Sequence, residues 1–159
     1  MAEVLYQNLE AIQSSDILDR LGLEPGKYML LSAHREENID TEKNFRSLFT
    51  AINKLAEKYD MPILYSCHPR SRKRLEESGF ELDARVVQHE PLGFHDYNHL
   101  QMNAFAVVSD SGTLPEESPF LHLSGIRSGS LYPYIYRKTG GGSTNACFNS
   151  WLESMRLLC

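Results

Sequence analysis

The sequence predicts an α/β fold, a parallel sheet covered by helices on both faces, and three observations carry that reading. Short apolar runs at 27–33, 63–67 and 104–108 have the length and composition of strands buried on both sides. Segments with helical apolar spacing alternate with them, as a parallel sheet requires. Polar residues gather where each run ends: His34 and Arg35, His68 and Arg70, and Ser109 to Gly112. In open α/β sheets that edge is where ligands bind.

Taken in order, Val4, Leu5, Leu9, Ile12, Ile17, Leu18 and Leu21 recur at roughly helical spacing, with Ser14 or Ser15 able to cap a second short helix ending near Gly22. Leu23-Glu24-Pro25-Gly26 is a turn, and the first buried strand follows and ends on His34. Asp40 or Thr41 can cap a long amphipathic helix through Phe45, Leu48, Ile52, Leu55 and Ala56, closed by Tyr59-Asp60-Met61-Pro62. The second strand, Ile63 to Cys67, ends on His68. Pro69 and the charged run Ser71 to Glu77 form the next helix, with Gly79 at its C-terminal side. Arg85 to Gln88 is strand-like, Tyr97 to Ala104 is a helix, and Phe105 to Val108 is the strand that delivers the turn SDSGTLPEES, Ser109 to Ser118. That turn should open a further helix.

At 159 residues, 42% hydrophobic and 23% charged, the chain can bury a real core and has the composition of an ordinary soluble protein. A net charge of −5 gives no basic footprint, which argues against a nucleic-acid partner. Cys67, Cys147 and Cys159 lack a CxxC pair, a pattern of reduced thiols rather than a disulfide framework or zinc site. The N-terminal stretch has neither the apolar core of a secretory signal nor a membrane-spanning run, so the expected location is cytoplasmic, with no membrane partner. His89, His95 and His99 have no convincing metal spacing with acids, and GxSxG, Walker A and GxGxxG motifs are absent.

Three constellations carry chemistry. In SDSGTLPEES, small residues at Ser109, Ser111 and Gly112 let backbone N–H groups approach a phosphate, and Glu116 and Glu117 could accept hydrogen bonds from sugar hydroxyls. Plain helix capping is the competing reading. In His34-Arg35-Glu36-Glu37-Asn38, Arg35 could hold a phosphate by a forked pair of hydrogen bonds and His34 could donate to a leaving group, or the loop could be solvated and self-paired. His68-Pro69-Arg70 repeats the pattern one strand later, with His68 open to either a structural or a functional role. Phe94, in the turn Glu90 to Phe94, suits a hydrophobic staple better than a base-stacking role.

With these motifs in order, the chain resembles the C-terminal domain of the non-hydrolysing UDP-N-acetylglucosamine 2-epimerases over residues 1–118. HREEN at His34 to Asn38 is similar to the family's HRREN-type motif, HPR at His68 to Arg70 to its HPN-type motif, and SDSGTLPEES to its DSGG-x-x-EE motif. HREENID, EPLGFHDYN and Thr113 in place of the second motif glycine look most like the capsule and O-antigen branch, which acts on UDP-linked 6-deoxy-L-talosamine to give N-acetyl-L-fucosamine. The resemblance implies one Rossmann-like half of a two-domain glycosyltransferase-B-type fold, truncated here, with substrate in the cleft between halves. It implies that His34 is catalytic and faces the diphosphate and sugar. Arg35, Glu37, Asn38, His68, Arg70, Ser109, Ser111, Gly112 and Glu117 become substrate contacts, Glu117 on the ribose. It also implies elimination of UDP to a 2-acetamidoglycal and re-addition with inverted C2, no cofactor, and a homodimer for the intact enzyme. The principal proton-handling acids of the family lie on the other domain, so this chain is expected to be inactive alone. A glycosyltransferase half, or a residual UDP-binding module or gene remnant, are the alternatives, and HREEN with HPR argues against the first.

Residues 119–159 depart from the pattern. Where the family has a strand ending in an arginine and TERPE, Leu131 to Gly142 read LYPYIYRKTGGG. Tyr132 to Gly141 can be encoded as TAT CCG TAC ATC TAC AGA AAG ACC GGA GG, and the same bases read one nucleotide later give Ile-Arg-Thr-Ser-Thr-Glu-Arg-Pro-Glu. The expectation is a frameshift between about Pro119 and Leu131, followed by a tail of poor order.

Overall fold

The structure, a computed structural model, describes residues 2–33, 39–109, 123–126 and 134–138. The chain begins with three short helices, α1 (Ala2–Gln7), α2 (Leu9–Gln13) and α3 (Ile17–Leu21). There follow β1 (Met29–Ser32), α4 (Glu42–Tyr59), β2 (Ile63–Ser66), α5 (Pro69–Ser78), β3 (Val86–His89), α6 (Phe94–Asn103) and β4 (Ala106–Ser109). Two backbone strands complete the sheet, β5 (Leu123–Ile126) and β6 (Tyr134–Lys138). The order is β3-β2-β1-β4-β6-β5. The first four strands are mutually parallel, and β6 runs antiparallel to both β4 and β5.

Position in the sheet explains the apolar runs. Every residue of β1 and of β4 is buried, whereas β3 buries Val86 and exposes Val87 and Gln88, as an edge strand can. Successive side chains leave β1 on opposite faces. Met29, Leu31 and Ala33 join Phe45, Phe49, Ile52 and Leu55 of α4 and Leu75 of α5, while Tyr28 and Leu30 join Ile17, Leu100, Ala104 and Val107 on the other side. Within the first cluster the rings of Phe45 and Phe49 lie 4.8 Å apart and those of Phe49 and Tyr65 5.5 Å apart, tilted as aromatic quadrupoles prefer. In the second, the Tyr28 hydroxyl donates to the Leu100 carbonyl at 2.6 Å, and burial pushes its ionisation far above the ordinary tyrosine range.

The helix ends show where local sequence was decisive. Thr41 is the N-cap of α4 but its side chain makes no capping bond, and Asp60 ends that helix in the left-handed region with φ 49°. Gly79 does the same for α5 at φ 61°, without the Cβ penalty. Helix α6 starts at Phe94 rather than Tyr97, because Gly93 supplies an extended N-cap and Asp96 places an acid in the first turn. The amino-terminal segment forms three helices instead of two, with Asp16 as nominal N-cap of α3, although the Ser15 hydroxyl accepts the Ile17 N–H at 3.3 Å.

Polar contacts dock these helices onto α6. Ser15 donates to Asp96 at 2.6 Å, Arg20 pairs with Asp96 at 2.5 Å, and the ring nitrogen Nδ1 of His99 donates to the Ile12 carbonyl at 2.7 Å. His95 lies 3.0 Å from the Asn8 amide oxygen. Strands β5 and β6 go beyond the sequence reading, which places no strand after Val108. Alternating Tyr134, Ile135 and Tyr136 are strong strand formers whatever their origin. The helix that the Ser109 to Ser118 turn should open falls outside the described residues, and so does the tail 119–159 apart from β5 and β6.

Two outcomes follow for stability. Phe49→Ala should lose about 3–5 kcal/mol in urea unfolding, since it empties the centre of the aromatic cluster; a loss under about 1 kcal/mol would contradict that packing. The Ser15 and Arg20 contacts lower the Asp96 ionisation, so its stabilising effect is present above the unfolded carboxylate range and lost as pH falls through the depressed value. Wild type should therefore exceed Asp96→Asn in stability at about pH 7, with the gap shrinking by about pH 3. A gap independent of pH would refute this.

Candidate functional site

Strand order locates the site. β1 leads through α4 to β2 on one side, whereas its other neighbour is β4, so the order turns around between β1 and β4. At such a switch point the connections leave in opposite directions and open a crevice at the carboxyl ends. Ala33, buried, follows β1 directly, and Ser109 ends β4 opposite Ser32. The HREEN segment leaves from the first and the SGTLPEES segment from the second. His34, Arg35, Glu37, Asn38, Ser111, Gly112 and Glu117 themselves lie outside the described residues.

The three described candidates divide by environment. Ser109 is fully buried, enclosed at the end of the ladder. His68 and Arg70 are exposed beside the end of β2, one strand from the switch point. His68 is the N-cap of α5, with Pro69 at the first helical position, and its Nδ1 accepts the Arg70 backbone N–H at 3.3 Å. A ring nitrogen that accepts there holds no proton, so the imidazole in this state carries it on Nε2 and can present a donor to a ligand. Both readings left open for His68 are thus compatible in one residue: it caps a helix and keeps a free edge.

Arg70 reaches Asp40 at 2.5 Å, and one turn along α5 Arg74 reaches Glu42 at 2.7 Å. Glu42 also takes Arg46 at 2.6 Å, and the Arg74 guanidinium lies 5.6 Å from the centre of the Phe45 ring. The sequence names Asp40 only as a possible cap of α4, and Glu42, Arg46 and Arg74 carry no separate signal there. The spacing of Glu42 from Arg46, and of Arg70 from Arg74, was the available signal, but only the packed helices show the pairing between them.

Cys67, between β2 and His68, is buried, and burial pushes its thiol above the ordinary range, so it is neutral and unreactive at physiological pH. Among the described residues no group of three His, Cys, Asp or Glu side chains could hold a metal ion, and His95 and His99 serve the docking of the amino-terminal helices. No helix among them is long and apolar enough to cross a membrane.

Comparison with known proteins agrees with this architecture. The sequence signature of the family described as UDP-N-acetylglucosamine 2-epimerase matches residues 1–127, past Ser118 and through β5. The UDP-N-acetylglucosamine 2-epimerase of Methanococcus maripaludis is 37% identical over 101 residues, which are 61% of this chain and 28% of that protein. Among solved structures, the UDP-N-acetylglucosamine 2-epimerase of Rickettsia bellii matches with a TM-score of 0.63 and 37% identity over 74% of this chain and 31% of its own. That of Methanocaldococcus jannaschii in complex with UDP-GlcNAc and UDP gives 0.66 and 28% identity over 76% and 35%. This chain therefore spans about a third of the length of such relatives. Its parallel sheet, the motif-bearing segments at three adjacent strand ends, and a signature match over most of its length make the chain a member of the UDP-N-acetylglucosamine 2-epimerase family.

Proposed function

We propose that the chain supplies the nucleotide-binding half of a UDP-sugar 2-epimerase, which inverts C2 of a UDP-N-acetylhexosamine by eliminating UDP and adding it back. The single observation that supports this best is the convergence of the HREEN, HPR and SDSG segments on the carboxyl ends of β1, β2 and β4, around one switch point. The substrate pair is UDP-GlcNAc and UDP-ManNAc, or the 6-deoxy-L-talosamine and L-fucosamine pair favoured by HREENID and EPLGFHDYN, which would place the enzyme in capsule or O-antigen precursor synthesis in the cytoplasm.

The chemistry explains the residue types. C2 bears a weakly acidic hydrogen, and departure of UDP develops negative charge on the diphosphate. His34, Arg35 and the backbone N–H groups of Ser111 and Gly112 stabilise that charge, with the Nε2–H of His68 as a further donor beside it. Glu117 holds the ribose hydroxyls, and Glu37 and Asn38 complete the sugar side. Movement of the C2 proton needs carboxylates placed at that carbon. Those belong to the part of the relatives' length outside this chain, so the chain alone binds weakly and does not turn over.

Residues 1–118 form the nucleotide-binding unit, and the tail departs from the family by a change of reading frame. The end of the family match at residue 127 supports a break late in the window between Pro119 and Leu131, and the antiparallel direction of β6 fits a segment not selected to continue a parallel sheet. Sequencing the gene tests this, and codons over Tyr132 to Gly141 that cannot yield the shifted motif would sink it.

Calorimetry tests the nucleotide site on this chain. UDP should bind with a Kd in the high micromolar range or weaker, about tenfold or more tighter than uridine, and Arg35→Ala should remove most of that difference. Equal affinity for UDP and uridine would count against diphosphate recognition, and a Kd in the low micromolar range would contradict an incomplete pocket.

A further inference from the structure

On the side away from β1, the neighbour of β4 is β6, and β6 lies beyond residue 127, where the family match ends. Strand β5, inside that match, pairs with β6 and not with β4. Strand β4 itself reads Ala-Val-Val-Ser, is buried at every position, and contains no charge, proline or glycine. A strand of that kind left at a sheet edge is a template for pairing with another chain.

Hydrogen-bond direction separates the two sides of β4. The Phe105 N–H donates to the Tyr28 carbonyl at 2.8 Å, so Phe105 turns its backbone groups toward β1. Alternation along the strand then turns Val107 toward β1 as well, and Ala106 and Val108 toward β6. Those two residues stand opposite Arg137 and Ile135 in antiparallel register. Without β6, their buried N–H and C=O groups would lack partners, at a cost comparable to lost hydrogen bonds. Beyond β6 the sheet ends in β5, Leu-Ser-Gly-Ile, a short strand with an interior glycine and so a poorer template than β4.

We propose that the outer edge of β4 is a strand-accepting surface with β6 as its in-chain occupant, and that a second copy of this chain pairs there, β4 against β4, when β6 leaves. The second copy fits because the edge already accepts an antiparallel strand, and antiparallel pairing of two identical edges closes about a two-fold axis. The same uncharged apolar strand then serves as both template and partner. Neither the edge nor its partner rests on nucleotide binding.

Amide hydrogen exchange and sedimentation of the full chain test this. The wild type should be a monomer in which the Ala106 and Val108 amides are protected about as well as that of Val107. Ile135→Pro removes the N–H that faces Val108, and at low protein concentration should speed exchange at Ala106 and Val108 by about tenfold or more, with Leu30 and Leu64 unchanged. Raising the concentration should produce a dimer and bring that protection back. Tyr136→Pro removes an N–H that faces Gly125 of β5 instead, and should keep both outer amides protected and the chain monomeric. Unchanged exchange at Val108 in Ile135→Pro, or equal effects of the two proline variants, overturns the role of β6. Outer amides that stay unprotected in a monomer at raised concentration overturn the second copy as partner. If Ile135→Pro unfolds the sheet, with Leu30 and Leu64 unprotected, the wild type decides: outer amides about tenfold or more faster than Val107 overturn the occupant, and matched protection upholds it.

Discussion

The constraint on which the structure depends is the burial of β1 between two parallel neighbours. Met29, Leu30 and Leu31 pair with Ile63, Leu64 and Tyr65 on one side and with Ala106, Val107 and Val108 on the other. No residue of the strand can then be polar toward either face until its last position, Ser32. Hydrophobic burial of that order, about 25 cal/mol per Å² of apolar surface, is what holds helices on both sides of the sheet. The same constraint forces the polar residues out of the strand and into the segment that follows. Core and candidate site are therefore one arrangement: the ends of the strands are polar because their middles cannot be.

The ends of the sheet's buried strands were legible in the sequence, and their neighbours in space were not. Tyr28 to Ala33, Ile63 to Cys67 and Phe105 to Val108 read as buried strands because an uninterrupted apolar run of that length has no other stable use beside amphipathic helices. Helix α4 was equally plain from its apolar stripe. By contrast α6 begins inside a stretch that reads as a turn, since a glycine followed by an aromatic is ambiguous until the N-terminal helices supply partners for Asp96 and His99. His68 shows the limit for single residues: its sequence leaves a structural and a functional role both open, and the cap that its Nδ1 makes on α5 is visible only in the folded chain. The cross-helix pairs of Arg70 and Arg74 have no signature in linear spacing. Nor does the pairing of β6 with β4, which depends on which sheet edge is available.

Membership of the family sets these features beside relatives of which the chain spans about a third of the length. A single Rossmann-like unit can hold a diphosphate at a switch point, because backbone donors and a few cations suffice for it. Inverting a carbon centre requires groups on both faces of the sugar ring, and hence a second wall to the cleft. The polar docking of α1 to α3 on α6 is instructive here. It keeps that helix face covered by hydrogen bonds to side chains and carbonyls rather than by apolar area alone, and so ties the amino-terminal end of the chain to the layer beneath the candidate site.

The register of the central ladder has a kinetic meaning as well. Residue 29 is bonded beside residue 106, with β2, β3 and three helices lying between them in the chain. Loop closure of that span must be complete before the β1–β4 pair contributes anything, whereas β1 with β2 can form earlier around the shorter α4 crossover. Loop-closure entropy alone therefore favours assembly from the β3 side of the sheet toward the switch point. On that order the crevice that the ligand would occupy is the last part of the parallel sheet to form, and until it does, the backbone N–H and C=O groups along the β4 side of β1 lack their ladder partners.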